Sequence, residues 1–159
     1  MQFNTFQFLI FYTVICLTYF ALPRRWRWML LLAASYSFYM FWKAEYGFIL
    51  LASTWVDYWV AIRLHKTTDR AVRRILVWIS LSANLGLLFG FKYADFLTAN
   101  LIGLGGFFGW STEFKTLDLL LPIGISFYTF QSMSYTLDVY RGAREPERHF
   151  GYFAVYVSF

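Results

Sequence analysis

Leu121–Gly142 reads LPIGISFYTFQSMSYTLDVYRG, and no charged residue occurs between Leu119 and Leu137. At ~1.5 Å per residue, a helix of that length crosses most of a ~30 Å hydrocarbon core. Yet Ser126, Thr129, Gln131, Ser132, Ser134 and Thr136 are threaded through it. A helix that only anchored a chain would be leucine and valine throughout. Hydroxyls and an amide at membrane depth mean packing against other helices, or the lining of a polar cavity. The fold class that follows is an all-α membrane protein, a multi-pass helical bundle.

Composition points the same way. Of the 159 residues, 59% are hydrophobic, 24% are aromatic and 14% are charged. Soluble domains carry ~25% charge, and one of this size could not hide so much aromatic surface. The net charge of +5 does not signal nucleic acid, because the basic residues sit in short loops between apolar runs. That is the pattern of topology signals, and the partner it implies is the lipid bilayer. Cys16 is the single cysteine, so no internal disulfide forms. No cluster with metal-ligand spacing is present.

The runs succeed one another with short interruptions. Residues 3–22 are free of charge, and Pro23 ends them before the basic, Trp-rich PRRWRW. Arg, Lys and Trp suit the membrane boundary. Further runs are expected at 26–42, 46–62, 75–91 and 119–140, and a partial run starts at 150. Pro122 would sit in the first turn of the 119–140 helix. Lys92 and Asp95 flank an expected break. After it, 96–110 holds Gly103, Gly105, Gly106 and Gly109, each costing a helix roughly 1 kcal/mol relative to alanine. This stretch reads as a Gly-rich half-helix that does not cross. The ten residues 150–159 are too few to span, which predicts that the chain is a piece of a longer protein, within one integral membrane domain covering 1–159.

Loop charges orient the runs. With the N-terminus outside, the inner loops 24–28, 63–74 and 141–148 hold eleven Lys and Arg, and the outer loops hold Lys43, Lys92 and Lys115. That is a strong positive-inside bias. The first twenty-two residues have no basic start, so they read as a retained helix and not a cleaved leader.

Few residues could carry chemistry. Asp57 lies inside an apolar run, where a carboxylate costs ~2.5–3.5 kcal/mol. Ser53, Thr54, Val60 and Ala61 occupy the positions three and four away, so its partner must come from another helix, from water or from a substrate path. Gln131 and Ser134 can bond across a helix interface or contact a substrate. Asp138 and Arg141 close the 119–140 run, either as a helix-end ion pair or as the mouth of a donor path. His65 and His149 lie in basic loops and read as solvated. Gly86 and Gly90, like Ala33 and Ser37, have the small-xxx-small spacing that favours close helix packing.

The wording of two segments resembles a known family. LPIGISFYTFQ followed by SYTLDVYRG (121–142), and ASYSFYMFWKAEYGFILLASTWVDYW (34–59), are similar to the bacterial membrane-bound O-acyltransferases, above all the branch that O-acetylates alginate and other envelope polysaccharides. HFGYFAVYVSF (149–159) is similar to the lead-in to the family's next helix. The resemblance implies the N-terminal part of a larger many-helix acyltransferase fold in the bacterial cytoplasmic (inner) membrane. It also implies an acyl donor such as acetyl-CoA with no resident cofactor, an extracytoplasmic polysaccharide acceptor, and extracytoplasmic acyltransferase or polysaccharide-modification partner proteins. The family's key histidine lies in a later part, and no residue here matches it, so no catalytic residue is assigned. Asp57, Gln131, Ser134, Asp138 and Arg141 remain candidates for a substrate path. A transporter or flippase subunit, or a purely structural membrane subunit, are the other classes the residues allow.

Overall fold

A computed structural model describes residues 5–41, 43–107 and 124–159. Six helices follow one another: α1 (Phe6–Ala21), α2 (Arg24–Met40), α3 (Ala44–Lys66), α4 (Arg70–Phe107), α5 (Ile125–Arg141) and α6 (Phe150–Ser158). The fold is an all-α membrane bundle. Ala44–Lys66 and Arg70–Tyr93 are long and apolar enough to cross a bilayer.

The helix ends follow from local chemistry. Thr5 caps α1, its side chain accepting from the Phe8 N–H. Pro23 separates α1 from α2 and sits at the N-cap, where its missing N–H costs nothing. Asp69 accepts from the Ala71 N–H at the start of α4. Gly142 ends α5 with a φ of 76°, a left-handed conformation that a side chain resists. Its N–H and that of Ala143 reach back to the carbonyls of the last turn.

Helix α3 is the hub and packs on α2, α4, α5 and α6. Its buried residues recur as Tyr46, Leu50, Ser53, Asp57, Val60 and Leu64, one stripe of a 3.6-residue period. Helix α5 answers with Tyr128, Ser132, Tyr135 and Val139. Phe153 of α6 closes the core against Tyr135, with ring centres 4.7 Å apart. Gly151 lets α6 approach α2: a Cβ there would meet the Trp28 ring at 2.2 Å.

Three expectations are corrected. The break at Lys92–Asp95 and the separate half-helix at 96–110 are absent as far as Phe107, because α4 runs on unbroken. Residues 91–100 contain neither Gly nor Pro, and a helix already under way propagates through Lys and Asp at little cost. Residues 108–110 lie outside the described residues. At 38 residues α4 is ~57 Å long, well beyond one bilayer core. Second, α5 begins at Ile125, where Gly124 with a φ of 79° forms the boundary; the 119–123 part of the expected run lies outside the described residues. Pro122 lies outside the described residues. Third, Gly86, Gly90, Ala33 and Ser37 face outward. A Cβ on either glycine would meet nothing within 4 Å, so neither pair mediates close packing among the described helices.

The helices alternate in direction, and one end of the bundle collects the basic loops. The Arg73 guanidinium donates to the carbonyls of Leu64 and Thr67 and to that of Tyr140, tying the C-termini of α3 and α5 to the start of α4. The Tyr58 hydroxyl donates to the Arg148 carbonyl at 2.6 Å. Trp28 packs on His149, with ring centres 4.9 Å apart. The loops 22–24, 67–69 and 142–149 therefore meet at this end. At the other end Tyr46 packs on Phe91, and Met40 on Gly47.

Candidate functional site

Asp57 is the centre of the one polar seam that links three helices among the described residues. Its side chain is fully buried, at 0% exposure. From α4, the Ser80 hydroxyl donates to one carboxylate oxygen, and the Asn84 amide nitrogen lies 2.9 and 2.8 Å from the two oxygens. From α5, the Ser132 hydroxyl donates to the second oxygen. Thr136 stands 3.3 Å from the Ser80 oxygen. Ser80 has a single proton, already committed to Asp57, so Thr136 donates into the chain. Asn84 places its second proton on the Ser80 carbonyl at 3.0 Å.

Spacing explains how the seam assembles. Ser80 with Asn84, and Ser132 with Thr136, are i, i+4 pairs, so each pair lies on one helix face. Both faces are turned toward α3. All of Asp57's partners among the described residues are uncharged, so the carboxylate is held by donated hydrogen bonds and not by an ion pair. Bonds to a charged group contribute roughly 1.5–3 kcal/mol each, enough together to offset much of a carboxylate's desolvation. The arrangement fixes three helices in register. It contains no nucleophile–base pair, and among the described residues no group of three or more His, Cys, Asp or Glu could hold a metal ion.

The five residues read as a substrate path do not converge. Asp57 is sealed in the seam. The Gln131 amide nitrogen instead donates to the Tyr156 carbonyl of α6 at 2.7 Å. Ser134 faces outward, Asp138 is half-buried, and Arg141 is exposed at the end of α5. No ion pair joins Asp138 to Arg141 among the described residues. Ser80 and Asn84 are hydrogen-bond partners of Asp57 that sequence reading missed. Their signal was present: polar residues four apart in the run 75–91, the same feature that singled out 119–140.

Two further features lie outside the seam. Thr129 Oγ1, Gln131 Oε1 and Ser158 Oγ are buried on α5 and α6 without a hydrogen-bond partner among the described residues. On another flank, α1, α2 and the end of α6 line an apolar groove of about 580 Å³ that includes Tyr12, Cys16, Phe38 and Ser158.

Comparison with known proteins gives the arrangement its context. No protein-family model matches the chain, and no solved structure matches it. Among individual proteins, it is 38% identical over 160 residues to the "Probable alginate O-acetylase AlgI" of Azotobacter vinelandii, covering 98% of this chain and 31% of that one. Its namesake in Pseudomonas aeruginosa is 38% identical over 157 residues, covering 98% and 30%. The peptidoglycan O-acetyltransferase of Helicobacter pylori is 38% identical over 119 residues, covering 75% and 21%. The chain thus spans about a third or less of the length of these curated relatives. The similarity to O-acetylating enzymes runs through nearly all of its residues, and the chain belongs to the membrane-bound O-acyltransferase family.

Proposed function

We propose that the complete protein transfers an acetyl group from a cytoplasmic donor such as acetyl-CoA to an extracytoplasmic envelope polysaccharide. The single observation that carries this reading is the 38% identity over 98% of the chain to an alginate O-acetylase. The relatives' names make alginate and peptidoglycan the first acceptors to try. Extracytoplasmic acyltransferase or polysaccharide-modification proteins are the expected partners. No catalytic residue is assigned to these 159 residues, and the acyl step belongs to other parts of the complete protein. The seam at Asp57 serves as scaffold: it holds α3, α4 and α5 so that the rest of the enzyme can build a path against them. The unpartnered Thr129, Gln131 and Ser158 oxygens are the polar groups that such a path would meet.

Acetyl transfer is tested with labelled acetyl-CoA supplied to the cytoplasmic face of inverted membrane vesicles carrying the complete protein. Label should accumulate in the polysaccharide. Label that crosses unattached would instead describe a transporter, and none at all would overturn transfer from this donor.

The same reading sets the protein in the bacterial cytoplasmic membrane as a multi-pass protein, with its N-terminus outside and its basic end in the cytoplasm. Eleven Lys and Arg at one end of the bundle support that orientation. In a Cys16-free background, cysteines at positions 66 and 145 should react from the cytoplasm, and those at 44 and 115 from outside. Positions 44 and 66 reacting from one side would overturn the topology.

A further inference from the structure

The outward faces of α3 and α4 carry the same residue order, read in opposite directions toward one end. On α3 the exposed stripe runs Phe48, Leu51, Trp55, Trp59, and then Arg63 and Lys66. On α4, read back toward its start, it runs Trp78, Arg74 and Arg70. Trp78 is 67% exposed and Trp59 39%, so these rings look out of the bundle. Each stripe passes from aromatic to cationic over seven or eight residues, Trp59 to Lys66 on α3 and Trp78 to Arg70 on α4. At ~1.5 Å per residue that is ~10–12 Å, enough to reach from the edge of the hydrocarbon core across the ~5–8 Å headgroup layer. The Arg63 guanidinium lies 5.1 Å from the centre of the Trp59 ring.

The four outward cations are not neutralised from within. Asp69 is the one acidic residue between 63 and 74, and it is engaged as the α4 cap. Arg73 turns inward to the helix carbonyls, while Arg63, Lys66, Arg70 and Arg74 form no ion pair among the described residues. The whole end holds eleven Lys and Arg against Asp69, Asp138, Glu145 and Glu147, a net charge of +7. Charge and depth together select the occupant. Cations standing one turn from an outward-facing Trp meet phosphate at the headgroup level, and a soluble acidic peptide would leave the exposed Trp rings unexplained.

We propose that the α3–α4 hairpin end binds anionic phospholipid headgroups. Arg63, Lys66, Arg70 and Arg74 hold the phosphate, and Trp59 and Trp78 sit at the glycerol level beneath it. The proposal does not rest on acetyl transfer or on the orientation, since a bilayer with the anionic lipid in both leaflets presents it to either face.

The test uses the complete protein in nanodiscs of phosphatidylcholine titrated with phosphatidylglycerol, with retained lipid read by native mass spectrometry. Wild type should retain the anionic lipid over the zwitterionic one. Arg63→Gln with Arg74→Gln should weaken that retention roughly 30-fold, about fivefold for each cation removed near the surface. Arg63→Lys with Arg74→Lys keeps the charge and should retain most of it. Lys43→Gln with Lys92→Gln, at the other end, should change nothing. Equal retention of both lipids, or a Gln pair that behaves as wild type, would overturn the proposal. So would stripping of the lipid by millimolar inorganic phosphate, which would describe a free-phosphate site.

Discussion

Helix α1 and helix α3 invert the rule that applies to soluble proteins. Helix α1 has no charged residue, yet none of its side chains is buried, and among the described helices it packs on α2 alone. Helix α3 carries Ser53, Thr54 and Asp57, and these are buried in the middle of the bundle. In water the most apolar helix would occupy the core. In lipid the hydrocarbon solvates α1 at no cost, and the polar groups are the ones that must find partners inside the protein. Burial here reports hydrogen-bonding need more than hydrophobicity.

Substitutions in the two regions should therefore differ widely. Asp57→Leu removes the acceptor of Ser80, Asn84 and Ser132 at once and leaves three buried donors unmade, at roughly 1–3 kcal/mol each. We expect a loss of at least about 3 kcal/mol, read as a large fall in Tm and yield of the complete protein in detergent. An unchanged Tm would reduce the seam to a dispensable contact and erase the contrast.

Gly151→Ala comes next. Its Cβ would meet the Trp28 ring at 2.2 Å, so α6 must withdraw from α2, at about 2 kcal/mol. Trp28→Leu in the same chain should recover part of the loss. If the pair of substitutions is no better than Gly151→Ala alone, the two residues do not touch as described.

Arg73→Gln should cost about 1.5 kcal/mol, since it removes the charged donor shared by the carbonyls of Leu64, Thr67 and Tyr140. Thermal unfolding together with protease sensitivity of the 67–69 and 142–149 loops would register it. Loss of stability without loosening of either loop would contradict the staple.

Leu17→Ala on α1 should move stability by no more than about 0.5 kcal/mol, since Leu17 is 68% exposed. A fall comparable to that of Asp57→Leu would mean that α1 belongs to the core after all.

Reading the residues in order reached some of this and missed the rest for identifiable reasons. That Asp57 needed a partner from beyond its own helix was legible, because that helix offered only Ser53, Thr54, Val60 and Ala61 at the right spacing. Which groups answered was not legible. Ser80 lies 23 residues away, and Ser132 lies 75 away. The Gly86–Gly90 pair misled because small residues permit close packing without requiring it, and here they face outward. The Lys92–Asp95 break misled because polar residues end a membrane run without ending a helix.

The amino-acid order alone determined the class of solvent, the helical architecture, the Pro23 boundary and the family resemblance. Each of these depends on composition or on neighbours along the chain. Only the tertiary structure decided that α3 is the hub, that Asp57 is sealed by Ser80, Asn84 and Ser132, and that Gln131, Ser134, Asp138 and Arg141 point elsewhere. The physical reason is that a helix's period tells which residues share a face, while the rotation of that face toward one neighbour or another is set by packing among all the helices at once.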